Sequence, residues 1–416
     1  MDKLIIKGQN ILEGSVTMSG AKNAVLPLMA AALLVDGKTI IHRVPDLRDT
    51  RTMVRLLEIL GAKIKFKNHT LEIDGSTVNR IEAPYELVKT MRASFYVLGP
   101  LLARFGQARV SLPGGCAWGP RPVDFHLRGF KLLGAVIELT DGYIQASAKK
   151  LIGNKVHFEV SSVGATGNIV MAAVLAEGVT IIQNAAREPE IVQLCEVLNL
   201  MGSKITGLGS NTLRIEGVNE LVPAEVEVIP DRIETGTFLM AGAALGKITL
   251  KNTEPEHLGI VLEKIELSGA SIQISGKNIT VEHEGPIKPV NITTDVFPGF
   301  PTDLQAQWIA FMALASGSSI IKDTIYHDRF AHVSELVRLG AKIQMENNVA
   351  IVHGVEQLKG AQVMSTDIRA SASLVNAALM AQGKTEISRI YHVDRGYEKI
   401  EEKLKFLGAE IWRESE

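Results

Sequence analysis

Thr52-Met53-Val54-Arg55-Leu56-Leu57-Glu58-Ile59-Leu60-Gly61-Ala62-Lys63-Ile64 decides how this chain is built, because it holds a helix, its stop signal and the start of a strand. The apolar spacing from Met53 to Leu60 is helical, and Gly61 sits where a helix end takes a left-handed residue. Lys63-Ile64-Lys65-Phe66-Lys67 and Thr70-Leu71-Glu72-Ile73 then alternate around Asn68-His69, the pattern of a hairpin with one buried face.

Leu60-Gly61-Ala62-Lys63-Ile64 returns as Leu133-Gly134-Ala135-Val136-Ile137, Met201-Gly202-Ser203-Lys204-Ile205, Ser268-Gly269-Ala270-Ser271-Ile272, Leu339-Gly340-Ala341-Lys342-Ile343 and Leu407-Gly408-Ala409-Glu410-Ile411. That makes six copies, about seventy residues apart. Between them lies a more apolar helix closed by glycine and a short strand, first seen in Ala24 to Leu34 with Gly37-Lys38-Thr39-Ile40-Ile41. The others close at Gly106, Gly178, Gly246, Gly317 and Gly383. Helices this apolar are expected to be buried on all sides, so each repeat supplies one buried helix, one surface helix and about four short strands. The period exceeds that of common solenoids. Three such α/β units suffice for a compact domain, which predicts two domains of three repeats, a boundary near Glu227-Val228-Ile229-Pro230-Asp231, and a ligand cleft between the halves.

The 416 residues exceed what one core usually holds, and 46% hydrophobic with 22% charged residues is globular composition. A net charge of −2 draws the protein to neither nucleic acid nor anionic membrane, so anion binding must come from local Arg and Lys. The amino terminus lacks the apolar region of a secretory signal and no apolar stretch spans a bilayer, so a cytoplasmic location is expected. Cys116 and Cys195 are the only cysteines, too few for a disulfide framework, and Cys195 fits the core face of a helix. The ten histidines form no HExxH or Cys/His ligand pattern, and no GxxxxGK[ST] or strand-anchored GxGxxG appears. Metal, nucleotide-hydrolase and dinucleotide chemistries lose their usual signatures.

Polar residues precede the buried helices: Lys22-Asn23, Arg92 with Ser94, Thr166 with Asn168, Glu234-Thr235, Thr302-Asp303, and Arg369 with Ser371. Helix starts attract anions through unpaired N–H groups. Capping accounts for Thr302, Asn168 and Ser371, but Lys22 and Arg369 oppose the dipole and point, with Arg92, to a phosphate or carboxylate ligand. Arg329 and Arg395 stand in loops at matched points of the fifth and sixth repeats, where convergence on one ligand competes with simple surface solvation. Asp303 is the carboxylate placed to act as a base, a helix-start acid being the alternative. In Leu112-Pro113-Gly114-Gly115-Cys116-Ala117-Trp118-Gly119-Pro120-Arg121-Pro122-Val123-Asp124, glycines expose the thiol and Arg121 favours its thiolate. An exposed cysteine without chemistry is the competing reading.

Ser19-Gly20-Ala21-Lys22-Asn23-Ala24, the Cys116 stretch through Asp124, Ser162-Val163-Gly164-Ala165-Thr166, Phe300-Pro301-Thr302-Asp303, Asp367-Ile368-Arg369-Ala370-Ser371 and Arg395-Gly396-Tyr397 together carry a resemblance. Over essentially its full length the chain resembles the UDP-N-acetylglucosamine 1-carboxyvinyltransferase family of enolpyruvyl transferases. The resemblance implies a two-domain inside-out α/β barrel of six βαβαββ-like units. Residues 20–229 would form the catalytic domain with a Cys116 lid, and residues 1–19 plus 230–416 the second domain. It implies transfer of the enolpyruvyl group of phosphoenolpyruvate to the 3-hydroxyl of UDP-N-acetylglucosamine through a tetrahedral intermediate, with release of phosphate. This is the first committed step of peptidoglycan synthesis, inhibited by fosfomycin. No metal or other cofactor is implied beyond a phosphoenolpyruvate-derived adduct on Cys116, and the implied partners are the two small-molecule substrates, with no nucleic acid and no membrane.

By the same resemblance Cys116 is the acid and Asp303 the base, while Asn23 orients the reacting hydroxyl. Lys22, Arg121 and Arg395 hold the phosphate or carboxylate of phosphoenolpyruvate, and Arg92, Arg329 and Arg369 complete the basic site. Arg121, Pro122, Val123, Asp124, Phe125, Ser162, Val163, Gly164 and Ile325 hold the nucleotide sugar, with Asp367 also against substrate. Trp118, Pro120 and Gly167 depart from the residues frequent in the family. Two rivals stand beside this reading. One is the sister transferase acting on shikimate 3-phosphate, which lacks the cysteine stretch. The other is a catalytically silent regulatory paralogue, against which Lys22, Cys116, Asp303 and Arg395 argue.

Overall fold

The computed structural model describes residues 2–112 and 123–415. Gly61 ends the helix Arg48–Ile59 at φ +102°, and the matching glycines 134, 202, 269, 340 and 408 lie between +90° and +102°. Side chains avoid that region, so glycine there stops a helix at little cost and turns the chain into the next strand. The chain divides into two compact units, Met1–Ser19 with Pro230–Glu416, and Gly20–Ile229.

The fold is mixed α/β, with six four-stranded sheets of one design among the described residues. An outer strand runs parallel to a central strand, which pairs antiparallel with one arm of a hairpin. In the first, Glu225–Glu227 lies beside Lys38–His42, followed by Thr70–Asp74 and Lys63–Lys67. Asn68 and His69 join that hairpin in left-handed conformations. In the sheet around Lys384–Ser388 the chain departs from local pairing. There Asp2–Lys7 takes the hairpin position, antiparallel to both Lys384–Ser388 and Glu410–Ser415. Leu12–Thr17 likewise supplies the outer strand beside Gly246–Lys251.

The buried helices are α1 (Lys22–Ala31), α2 (Leu98–Phe105), α3 (Val163–Ala173), α4 (Arg232–Leu245), α5 (Gln305–Met312) and α6 (Ile368–Met380). Every residue of α5 is buried, and so are Arg369 to Met380 of α6. Within its unit, α4, α5 and α6 pack on one another, and each unit has its own apolar core. The expected surface helix of the third repeat is an exception. Pro189–Leu200 packs along α1 and buries most of its length, including Cys195, whose thiol is pushed up to about 12 by burial and then by Glu196. No helix among the described residues is long and apolar enough to cross a membrane.

Candidate active site

In the unit Gly20–Ile229, the starts of α1 and α3 and of the 3-10 helix Arg92–Val97 that leads into α2 carry no acidic residue in their first turns. Ala21 precedes α1 and offers no capping oxygen. Lys22 is buried at this positive end, 3.5 Å from Asp49, which comes from the first turn of Arg48–Ile59. A buried ammonium facing a helix N-terminus needs such a partner. Asn23 and Arg92 are half-buried. Ser162 caps α3, its Oγ accepting from the Ala165 N–H at 3.3 Å, with Val163 and Gly164 as the first helical residues. Val123 is buried, Asp124 exposed, and the half-buried Phe125 ring meets Phe158 edge-on. Helix starts without acids, joined by Lys22 and Arg92, suit an anion.

Asn168 holds this end together. Its Oδ1 accepts from the Gly99 N–H at 2.8 Å, while its Nδ2 donates to the Phe95 carbonyl at 2.9 Å and lies 3.1 Å from His126 Nδ1. An amide that donates there makes Nδ1 the acceptor and leaves the imidazole proton on Nε2. Burial, and then Arg92, push His126 down to about 3, so the ring is neutral. The capping role expected of Asn168 is therefore corrected. α3 starts at Val163, which puts Thr166 and Asn168 inside it, and Thr166 Oγ1 accepts from the Ala186 N–H.

The other unit reverses the chemistry, with an aspartate at the start of each of its three buried helices. Asp231 caps α4 through the N–H groups of Ile233 and Glu234, and Asp367 caps α6 through those of Arg369 and Ala370. Asp303 sits in the turn Thr302–Leu304 that opens into α5. Arg329 Nη1 meets Asp303 Oδ1 at 2.8 Å, and Arg369 Nη2 meets Oδ2 at 2.6 Å. The arginine side chains are 10% and 6% exposed, against 25% for the aspartate, so the carboxylate is the accessible member. Burial works against the Arg369 charge, but Asp303, Tyr397 and Asp231 outweigh it and hold the guanidinium above its ordinary value.

Tyr397 is buried beneath this group, and burial raises its phenol although Arg369 opposes the shift. Its oxygen meets Thr237 Oγ1 at 2.9 Å, Gln307 Nε2 at 3.1 Å and Arg369 Nη1 at 3.5 Å. Gln307 also donates to the Asp303 carbonyl at 3.2 Å, tying the turn to the phenol.

Capping is also corrected for Thr302 and Ser371. Pro301 precedes the Thr302 turn, and the Thr302 hydroxyl bridges Asp323 and Arg329, while Ser371 bonds back to the Asp367 carbonyl from inside α6. Arg395 ends the 3-10 helix Ile390–Arg395 rather than standing in a loop, and is half-buried. Arg329 is buried, contrary to a solvated surface position. Ile325 is half-buried, its N–H donating to Asp323.

Among the expected residues the structure brings together Asp303, Arg329 and Arg369, with Tyr397 and Asp231 beside them. Cys116, Arg121 and Pro122 lie outside the described residues. Sequence reasoning misses Asp49, His126, Asp231 and Asp323. A signal existed for Asp323, which follows the central strand where other repeats carry Arg43, Asn184, Asn252 and Arg389 in left-handed conformations. A concavity of about 580 Å³ lies instead at the C-terminal ends of α1 and α2, lined in part by Leu34, Asp36, Leu102, Arg104 and Lys150. There Arg104 already donates to the carbonyls of Leu33, Val35 and Gly75, so helix-end chemistry favours the opposite, N-terminal pole for an anion.

The profile of the EPSP synthase (3-phosphoshikimate 1-carboxyvinyltransferase) family matches residues 6–404. A UDP-N-acetylglucosamine 1-carboxyvinyltransferase of Chloroherpeton thalassium is 56% identical, over 100% of this chain and 98% of that one. Its counterpart in Trichlorobacter lovleyi is 55% identical over the whole of both chains. The enolpyruvyl transferase NikO from Streptomyces tendae superposes with a TM-score of 0.88 at 26% identity, covering 99% of this chain and 98% of that one. An EPSP synthase from Acinetobacter baumannii, at 18% identity and TM-score 0.76 over the whole of both chains, shares the fold.

Proposed function

The chain belongs to the UDP-N-acetylglucosamine 1-carboxyvinyltransferase family of enolpyruvyl transferases, and we propose on that premise that it moves the enolpyruvyl group of phosphoenolpyruvate onto the 3-hydroxyl of UDP-N-acetylglucosamine. The observation that carries the reading at the level of chemistry is Asp303, an accessible carboxylate whose two oxygens are each fixed by a buried guanidinium. Such an aspartate is presented as an anion in one orientation, the form that takes a proton from an attacking hydroxyl.

The reaction has two stages. In the addition, the sugar oxygen attacks C2 of phosphoenolpyruvate as Asp303 takes the hydroxyl proton, and an acid delivers a proton to C3. We assign that acid to Cys116. In the elimination, a proton leaves C3, the double bond re-forms, and the bond from C2 to the phosphate oxygen breaks. Proton transfer of this kind contributes about 10²–10⁴ in rate, and positioning with charge stabilisation supplies the rest. Lys22, Arg121 and Arg395 bind the phosphate or carboxylate of phosphoenolpyruvate, with Arg92, Arg329 and Arg369 adding positive charge. Asn23 orients the acceptor hydroxyl. Val123 to Phe125, Ser162 to Gly164 and Ile325 hold the nucleotide sugar. The reading needs no metal, makes this the first committed step of peptidoglycan synthesis, and assigns it to the cytoplasm.

The deciding experiment measures phosphate release from phosphoenolpyruvate with each acceptor. Turnover with UDP-N-acetylglucosamine is expected, and turnover with shikimate 3-phosphate alone would overturn the reading. Intact-protein mass spectrometry after incubation with both substrates is expected to locate a phosphoenolpyruvate-derived adduct on Cys116. Cys116→Ser is expected to lose that adduct, turnover and alkylation by fosfomycin; unchanged fosfomycin sensitivity would remove Cys116 from its role.

A further inference from the structure

The Asp323 carboxylate is fully buried, yet nothing in the proposed chemistry uses it. Oδ1 accepts from the Thr294 hydroxyl at 2.8 Å and from the N–H groups of Ile325 and Tyr326, each at 2.9 Å. Oδ2 accepts from the Thr302 hydroxyl at 2.7 Å. Four donors converge on this one buried carboxylate, and they come from segments that flank the candidate base.

The direction of the hydrogen bonds follows from chemistry. The Thr302 hydroxyl has a single proton and donates it to Asp323 Oδ2, so the lone pairs of Oγ1 face outward. Arg329 Nη1 donates to that oxygen at 3.2 Å, and the same Nη1 meets Asp303 Oδ1 at 2.8 Å. Among the described residues Arg329 Nε is buried with no acceptor. Arg329 Nη1 therefore bridges the Thr302 hydroxyl and the Asp303 carboxylate, with the Tyr326 ring 5.4 Å from the guanidinium.

We propose that Asp323 is a positioning residue for the transfer: through Thr302 and Arg329 it sets the orientation of the Asp303 carboxylate, and through the Ile325 amide it sets the segment beside it. Asp323 touches no substrate in this scheme. The inference rests on Asp303 being the base, as proposed above.

The test uses the full chain. Thr302→Val removes the hydroxyl while keeping the shape, and Thr302→Ser restores it. In Thr302→Val, kcat is expected to fall about 10- to 100-fold, as for a misplaced catalytic group, with KM for both substrates within about threefold of the parent. Thr302→Ser is expected to recover kcat to within about threefold. A purely structural role would lower melting temperature in both variants and produce no such split. If Thr302→Val retains kcat within about twofold, or Thr302→Ser fails to recover it, the proposal is wrong. A crystal structure of Thr302→Val reads the relay without any substrate: Arg329 is expected to leave Asp303, and an unmoved pair would overturn the relay even if the parent enzyme proves to use another acceptor. Should Thr302→Val not fold, Asp323→Asn carries the same measurements, and loss of the fold in both would assign the pair to stability alone.

Discussion

Asp303 and Arg369 are 66 residues apart in the chain and 2.6 Å apart in space, and they stand at the starts of consecutive buried helices, α5 and α6. A repeat architecture makes this natural. Within this unit the starts of α5 and α6 from neighbouring repeats lie side by side, so a carboxylate at one helix start and a guanidinium at the next meet without any long loop to bring them together.

Asp303→Asn is expected to lower kcat by about 10²–10⁴, the usual worth of a positioned proton acceptor. The neutral amide also leaves two buried guanidiniums without their anion, which costs stability, up to about 3–5 kcal/mol for a broken buried pair. Phosphate-release kinetics below the variant's own melting temperature separate the two effects. A kcat within tenfold of the parent would contradict the assignment.

Lys22→Gln is expected to raise KM for phosphoenolpyruvate about 10- to 100-fold, the equivalent of one charge-assisted hydrogen bond of about 1.5–3 kcal/mol. KM for the nucleotide sugar should change much less. Steady-state kinetics with one substrate saturating give both values, and equal rises in the two would assign Lys22 to the fold through its pairing with Asp49.

His126 and His332 make the fold acid-sensitive. Burial, followed by Arg92 in one case and Arg329 in the other, pushes each imidazole from 6.5 down to about 3. Between those values the unfolded chain binds protons that the folded chain refuses. Their stabilising contribution is complete above about pH 6.5 and is lost as pH falls, by about 1.4 kcal/mol per pH unit for each histidine. Urea unfolding at pH 7.5, 6 and 5 measures the slope. His332 Nε2 has no partner among the described residues, so His332→Leu is expected to remove one histidine's share of the slope, and an unchanged slope would exclude it as a source.

Two glycines of the fifth repeat should respond differently to alanine. Gly340 has φ +95° and open space where a Cβ would stand, so the backbone penalty alone applies, about 1–2 kcal/mol. At Gly354 a Cβ would fall 1.7 Å from the Ala315 carbonyl oxygen, and its N–H already pairs with Gly317. Because main chain must move there, Gly354→Ala is expected to cost at least twice as much as Gly340→Ala by urea unfolding, and equal losses would contradict the clash.

The helix stops are legible in the sequence because a left-handed residue has a chemical signature, glycine followed by a small residue and a strand. The helix starts are harder to read. Ser162 and Asp367 cap their helices within polar stretches that offer several candidates, and Asn168 and Ser371 look like caps only until the first turn is fixed upstream. Asp303 and Arg369 can be singled out by charge, but their pairing cannot, since no local spacing encodes contact between repeats. Asp49 escapes notice for the same reason: it is defined by a partner distant in sequence.

The strand Asp2–Lys7 lies between Lys384–Ser388 and Glu410–Ser415. On the ribosome this strand is made before Gly20–Ile229, and its two neighbours are made after that unit. The intervening unit can therefore settle during translation, but Asp2–Lys7 must wait for Lys384–Ser388 and Glu410–Ser415 before it has its place. A chain stalled before residue 384 keeps an apolar ribbon, Leu4 to Ile6, without its sheet. Completion of this sheet is thus timed by the synthesis of Lys384–Ser388 and Glu410–Ser415.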